Sequence, residues 1–211
     1  MIIPFDQNKW ERAGAAVKVD KYLRKIGCDP KLPVNLSNIL VNMGFDLFVS
    51  DDPNFFAKFR YSEDDKCLII NRRIQKDKAK YIKLKAYVIS IVNHYQSIAE
   101  QNLKTRTKEA IENARFVYEE TVDFNEIDEY RALQTHEERK AFKKKYLDDL
   151  VETFFEDHAP DDFVELDVNI PRNYKEKIIY NNDQAEKTLL LFAEELATRD
   201  STLKVVQGLE F

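Results

Sequence analysis

Glycine is scarce in this 211-residue chain, with four in all. A fold of many tight turns draws heavily on glycine, so a turn-rich all-β architecture is disfavoured. The same scarcity effectively excludes Gly-rich phosphate loops and dinucleotide fingerprints, and no Gly-x-Ser-x-Gly elbow occurs. Cysteine is scarcer still. Cys28 and Cys67 stand far apart, too few and wrongly spaced for a disulfide framework or a Cys-based zinc site. Neither sits in a Cys/His setting that would mark an activated nucleophile, so both are read as buried free thiols in a reducing compartment. No apolar run is long enough to span a membrane. Residues 1–6 lack a basic region followed by an apolar stretch, so no signal peptide is expected and the expected location is the cytoplasm. A net charge of −5 gives no overall attraction to nucleic acid.

What is present is a globular composition, 44% hydrophobic and 34% charged, with aromatics at 12% that point to a core rich in Phe and Tyr. Trp10, Ala13, Val17, Leu23 and Ile26 fall near helical spacing, and Gly27 is a natural stop, so the first helix is expected over 6–26. Asp29-Pro30 and Pro33 break the chain. A short helix follows with Leu36, Ile39, Leu40 and Met43 on one face, ended by Gly44 as a left-handed cap. The runs 45–49, 56–61 and 67–71 then read as strands, separated by turns at 51–54 and 62–65. Leu84, Val88, Ile91, Tyr95 and Ile98 recur at spacings of three and four, and Ile82, Ile89 and Val92 widen the apolar face. That pattern predicts a central helix over about 76–103, with another helix over about 106–120. Thr135 and Glu138 form a capping box that opens a helix carrying Phe142, Tyr146, Leu150, Val151 and Phe154. Residues 158–171 read as a loop holding a short extended piece at 163–170. Asp183 and Glu186 open the last helix, which is expected to bury Ala185, Leu189, Phe192 and Leu196. The fold class is therefore α+β and predominantly helical, with an antiparallel sheet of about three strands packed on a central helix and further helices towards the C-terminus. The expected divisions are a core at 1–103, a helical insertion or subdomain at 104–181, and a helix at 182–211 that completes the core.

The order of these elements carries a resemblance. "LSNILVNMGFDLFV", strands ending in "CLIINRRI", and then the helix "KLKAYVISIVNHY" resemble the ImmA/IrrE-like metallopeptidase family over about residues 30–100. "LLLFAEELA" at 189–197 is similar to a downstream helix of that family. The resemblance implies a zincin-like fold whose helix carries His-Glu-x-x-His, two zinc ligands four residues apart with a general-base Glu between them. Aligned on "SIVNHY", those positions are Ser90, Ile91 and His94. Ser90 is a poor zinc ligand and Ile91 cannot accept a proton. For the family's third, acidic ligand the nearby residues are Glu186, Glu194 and Glu195, while Thr188 stands where one family Glu is expected. One His and one carboxylate fall short of the three protein ligands of a catalytic zinc site, and without the Glu a general-base contribution of roughly 10²–10⁴-fold is lost. The chain is therefore expected to be a degenerate member with no catalytic residues, no metal and no cofactor.

The other charge patterns point to partners. Arg72, Arg73, Lys76, Lys78, Lys80, Lys83 and Lys85 cluster with only Asp77 opposing them. Arg72, Arg73, Lys76 and Lys80 are the candidate contacts to a partner or to phosphates. Basic residues at the start of a helix oppose its dipole, which favours a partner for them. Later, Asp148, Asp149, Glu152, Glu156, Asp157, Asp161, Asp162, Glu165 and Asp167 run without an intervening Lys or Arg, interleaved with Phe154, Phe155 and Phe163, a pattern suited to a solvated edge or a basic protein partner. His136 beside Glu137 and Glu138, and His158 among Asp157, Asp161 and Asp162, are read as solvated rather than metal-binding.

By resemblance, active relatives act on DNA-binding regulators of mobile elements or stress responses. An inactive version would hold such a regulator without cutting it, so a binding or regulatory module with a protein partner is the expected function. Two alternatives stay open. One is a metal-dependent hydrolase with a rearranged site drawing on His94, His158 and carboxylates. The other is a nucleic-acid-binding accessory protein using the basic segment 72–85.

Overall fold

The computed structural model describes residues 7–156, 165–181 and 183–202. It is an α+β protein, predominantly helical, divided into two compact units: residues 1–96 with 164–211, and residues 97–163. Among the described residues no helix is long and apolar enough to cross a membrane.

The first unit opens with α1 (Gln7–Lys25) and α2 (Leu36–Asn42), each closed where the sequence supplies glycine: Gly27 sits at φ 77° and Gly44 at φ 88°. Only glycine takes such angles without strain. Asn35 caps α2, its side chain accepting from the Ser37 and Asn38 amides. Three strands follow: β1 (Asp46–Ser50), β2 (Ala57–Tyr61) and β3 (Lys66–Asn71). After them come the short α3 (Arg72–Lys76) and the long α4 (Lys78–Glu120). Later in the chain, β4 (Leu166–Ile170), α7 (Tyr174–Asn181) and α8 (Gln184–Thr198) complete this unit.

The sheet has four strands in the order β1-β3-β2-β4, close to the small sheet of about three strands expected, and it is mixed rather than wholly antiparallel. β1 runs parallel to β3, while β2 lies antiparallel to both β3 and β4. Ser50 pairs with Asn71 and Ala57 pairs with Ile70, so the loop 51–56 crosses the end of β3 rather than folding back as a hairpin. The fourth strand falls in the extended piece expected at 163–170. A strand that short carries too weak a local signal to reveal its pairing; the antiparallel register with β2 supplies it.

The core of this unit is buried where β2, β3 and the first half of α4 contribute Phe59, Leu68, Ile70, Ile82, Leu84, Val88 and Ile89. Alternation along β2 puts Ala57, Phe59 and Tyr61 inward. α1 packs on α8, with Tyr22 meeting Phe192 edge to face at 5.7 Å. Asp183 caps α8 by accepting from the Ala185 and Glu186 amides. The helix buries Leu190, Phe192, Ala193, Leu196 and Ala197. Ala185, expected inside, is exposed, and Leu189 is half-buried. The residue after α8, Arg199, joins the start of α2: the Val34 amide donates to the Arg199 carbonyl at 2.9 Å, and the Ser201 amide to the Val34 carbonyl at 2.7 Å.

The second unit takes the remainder of α4, a 3-10 turn (Phe124–Glu126), α5 (Asp128–Ala132) and α6 (His136–Glu156). The break expected near 103–106 is absent, because α4 is continuous. Thr105 and Thr107 lie inside it, and their hydroxyls bond back to the Gln101 and Leu103 carbonyls at 3.1 and 2.8 Å. Aromatic rings hold this unit: Phe124 lies 5.3 Å from Tyr118, 5.2 Å from Tyr130 and 5.6 Å from Tyr146. The capping box forms, with Glu138 accepting from the Thr135 amide at 2.9 Å and Thr135 Oγ1 accepting from the Glu138 amide at 3.2 Å.

Candidate functional site

The positions that align with the zinc motif of the family the chain resembles lie in packed surroundings. Ser90 is 1% exposed, and its hydroxyl donates to the Leu189 carbonyl at 2.7 Å. Ile91 is buried. His94, one turn further along, is half-buried, with its ring 5.5 Å from Tyr95. Of the acidic residues on α8, Glu194 pairs with Lys175 at 3.2 Å and Glu195 with Arg199 at 2.7 Å. Glu186 is exposed, and Thr188 bonds its own helix at the Gln184 carbonyl. Among the described residues, no group of three or more His, Cys, Asp or Glu side chains is placed to hold a metal ion. The zinc implied by the family resemblance does not fit this donor set: one candidate position is a buried hydroxyl already bonded to backbone, and the position of the base is a buried alkyl group. His136 heads α6 and is exposed. His158, Asp157, Asp161, Asp162 and Phe163 lie outside the described residues.

A different concavity forms at the end of the sheet where β3 finishes, β2 begins and β4 finishes. The register requires this: Ala57 pairs with both Ile70 and Ile170, which brings Phe55, Phe56, Asn71 and Arg172 to one end of the sheet. The pocket has a volume of about 410 Å³, within the range of small-molecule sites. α3 contributes Arg73 and Ile74, α4 contributes Lys80, Lys83 and Leu84, and the start of α7 with its preceding turn contributes Arg172, Tyr174, Lys175 and Glu176.

Asn71 organises the corner. It is 5% exposed; its Oδ1 accepts from the Arg73 amide at 2.8 Å and so caps α3, while its Nδ2 donates to the Asp52 carbonyl at 2.6 Å. Its own amide donates to the Phe56 carbonyl at 2.9 Å. The Tyr174 ring lies tilted at 32° to that of Tyr87 with centroids 4.6 Å apart, and 6.4 Å from that of Phe56. Burial raises the Tyr174 hydroxyl above its ordinary pKa of 10.0 and pushes Tyr87 up to about 12.

The four basic residues singled out in the sequence separate here. All four are exposed, but only Arg73 and Lys80 line the pocket; Arg72 and Lys76 do not. Arg72 is engaged with Asp51, its Nη2 donating at 3.0 Å. The hydrogen bond from Arg72 holds the Asp51 carboxyl below its ordinary range. Lys80 pairs with Asp77 at 2.8 Å, and that hydrogen bond likewise holds Asp77 down. Lys85, grouped with the basic cluster by sequence, turns inward: it is 4% exposed, its Nζ donates to Ser37 Oγ at 2.9 Å, and it lies 4.3 Å over the Tyr81 ring. Burial lowers its pKa, with Asp200 partly offsetting the effect. Arg172, Tyr174 and Lys175 escaped the sequence reading. The only local sign of them is the basic-aromatic stretch 172–175, which nothing near it in the chain connects to 55–84.

The described residues of the downstream acidic run fall in different elements. Asp167 pairs across the sheet with Lys58 at 2.8 Å, while Asp148, Asp149 and Glu152 lie on α6. No family model, curated protein or solved structure matches the chain.

Proposed function

We propose that this chain is a binding or regulatory module, related in plan to ImmA/IrrE-like metallopeptidases but without their catalysis, which holds a protein partner such as a DNA-binding regulator of a mobile element or stress response. One observation carries the reading. The hydroxyl of Ser90 is spent on the Leu189 carbonyl at 2.7 Å, so the helix at the motif position packs directly on the downstream helix where an active relative would need an open metal site. Ile91, buried beside it, offers no base. The test is metal content and peptidase activity of the purified chain. The expected result is neither stoichiometric zinc nor cleavage of protein substrates. Stoichiometric zinc that is lost on His94→Ala overturns the reading.

A second reading, a nucleic-acid-binding accessory protein, gains a specific observation. Arg73 and Lys80 of the basic segment are joined in one concavity by Lys83, Arg172 and Lys175. Local clustering of cations can bind phosphates on a protein whose net charge is negative. A gel shift at low salt tests it: a complex that weakens steeply with salt and on Arg73→Glu supports this reading, and no complex removes it.

A further inference from the structure

We propose that the pocket at the end of the sheet binds a nucleoside phosphate, with the phosphate held by Arg73, Lys83 and Arg172 and the base laid against Phe55. The proposal rests on the reading of the chain as a binding rather than a cutting protein, and it names a ligand class for a site that catalysis does not use.

Charge is the first argument. The pocket walls carry five cations, Arg73, Lys80, Lys83, Arg172 and Lys175, against the single carboxylate of Glu176. Lys80 and Lys175 are already paired, with Asp77 and Glu194. Arg73, Lys83 and Arg172 form no ion pair with any described residue. These three arrive from separate segments, α3, α4 and the turn after β4, so their convergence comes from the tertiary fold rather than from one run of basic residues. All three are exposed, so water screens their mutual repulsion, and an anion in the cavity gains from all three cations at once. The guanidinium groups of Arg73 and Arg172 suit phosphate in particular, because their planar forks donate two parallel hydrogen bonds.

Shape and apolar lining are the second argument. A volume of about 410 Å³ exceeds what an inorganic phosphate fills. The remaining lining is aromatic and aliphatic: Phe55, Phe56, Tyr174, Ile74 and Leu84. The Phe56 and Tyr174 rings are neighbours, tilted at 44° with centroids 6.4 Å apart, and Tyr174 also packs on Tyr87. Phe55 is half-buried and has no ring partner among the described residues, which leaves its face for a ligand ring. Stacking of a base on an aromatic side chain is sequence-tolerant and contributes substantially. Glu176, the one acidic wall residue, can accept from a base amino group. A ligand anionic at one end and planar at the other is a nucleotide, either free or as one residue of a single strand.

The experiment titrates the full chain at low ionic strength with three probes: adenosine triphosphate without added metal, a ten-residue oligothymidylate, and inorganic pyrophosphate. Saturable binding of at least one nucleotide probe is expected, weakened about tenfold or more by Arg73→Glu and by Arg172→Glu. Phe55→Ala should weaken the nucleotide by about fivefold or more, the lower end of measured base–aromatic stacking, while pyrophosphate affinity stays unchanged. Lys83→Glu provides an independent charge reversal, and far-ultraviolet circular dichroism with a thermal midpoint confirms that each variant is folded. A strand bound more than tenfold more tightly than the mononucleotide assigns the site to single-stranded nucleic acid; equal affinities or a preference for the mononucleotide assign it to a free nucleotide. The proposal is overturned by no saturable binding of either nucleotide probe at millimolar concentration. Binding indifferent to all three charge reversals, or a Phe55→Ala variant that binds nucleotides as the parent does, also overturns it. Zinc-dependent cleavage would remove the non-catalytic reading while leaving these titrations to be judged on their own outcomes.

Discussion

Asn71 ties the loop that crosses the sheet to the strand it crosses: its Nδ2 donates to the Asp52 carbonyl at 2.6 Å, while its Oδ1 caps α3 at the Arg73 amide. One side chain thus bonds both the crossing loop and the first turn of α3. Asn71→Ala removes the cap and the loop tether together, and a lost cap alone costs about 0.5–2 kcal/mol. Asn71→Asp keeps an acceptor for the Arg73 amide but sets a carboxylate against the Asp52 carbonyl. Urea denaturation should place both variants below the parent, with Asn71→Ala lowered by roughly 1–2 kcal/mol. A midpoint equal to the parent's in both would show that the corner does not depend on this residue.

The Ser90–Leu189 contact gives a second prediction. Leu189 lies inside α8, where its carbonyl belongs to the helical ladder, so the Ser90 hydroxyl adds one further bond. Ser90→Ala should cost about 0.5–1.5 kcal/mol, the net worth of an ordinary hydrogen bond. Rebuilding the family motif as Ser90→His with Ile91→Glu should do worse. A larger ring and a carboxylate entering a packed site destabilise by about 1–3 kcal/mol from crowding alone, and an unpaired buried charge adds to that. Equilibrium dialysis should find no stoichiometric zinc in the double variant. Zinc uptake together with new peptidase activity would show that these two residues, and not the packing, are what keeps the site from binding metal.

Local features were legible in the sequence because they act locally. Gly27 and Gly44 end their helices at positive φ as expected, Thr135 and Glu138 form their reciprocal cap, and Asp183 caps α8. The continuity of α4 was not, since the polar stretch around Lys104–Arg106 looks like a break until Thr105 and Thr107 are seen bonded back into the helix. The candidate site was half legible. Arg73 and Lys80 lie within one basic run, whereas Arg172 and Tyr174 reach them only through the pairing of Ala57 with Ile170. Register between strands so distant in the chain is set by packing and leaves little trace in composition. Lys85 shows the reverse error: it belongs to the basic run by position, but helical periodicity carries it to the buried side of α4.

The neighbouring rings of Tyr87 and Tyr174 set an alkaline limit on stability. Both hydroxyls have folded-state pKa values raised by burial, that of Tyr87 to about 12. A phenol with a raised folded value holds its proton longer when folded than when unfolded. Its contribution is therefore complete below pH 10 and is lost as pH rises through the folded value. Urea midpoints should fall between pH 10 and 12, and Tyr87→Phe should flatten that fall. An unchanged alkaline slope in Tyr87→Phe would remove this tyrosine from the account.

Asp200 and Lys85 supply the last prediction. Asp200 is fully buried; its Oδ2 accepts from the Leu36 amide at 3.1 Å, and its Oδ1 accepts from the Thr202 amide at 2.8 Å. It joins the residues after α8 to the first turn of α2, and its charge offsets part of the desolvation of Lys85. Asp200→Ala orphans the Leu36 amide and strips the buried ammonium of that charge. Leaving a buried donor without its acceptor costs about 1–3 kcal/mol, which sets the scale for this variant. Adding Lys85→Met to Asp200→Ala removes the stranded charge and should recover part of the loss, so a double-mutant cycle returns a non-zero coupling. The pH dependence has a defined sign. Because the Lys85 pKa is lowered below 10.5, the folded chain binds fewer protons than the unfolded one between the two values, and stability rises with pH across that window. Without Asp200 to hold the ammonium up, the window opens further towards neutral pH. The Asp200→Ala variant should therefore regain stability between pH 7 and 10 more steeply than the parent, and that gain should vanish in the double variant. Parallel pH profiles for parent and Asp200→Ala would show that the two charges do not communicate.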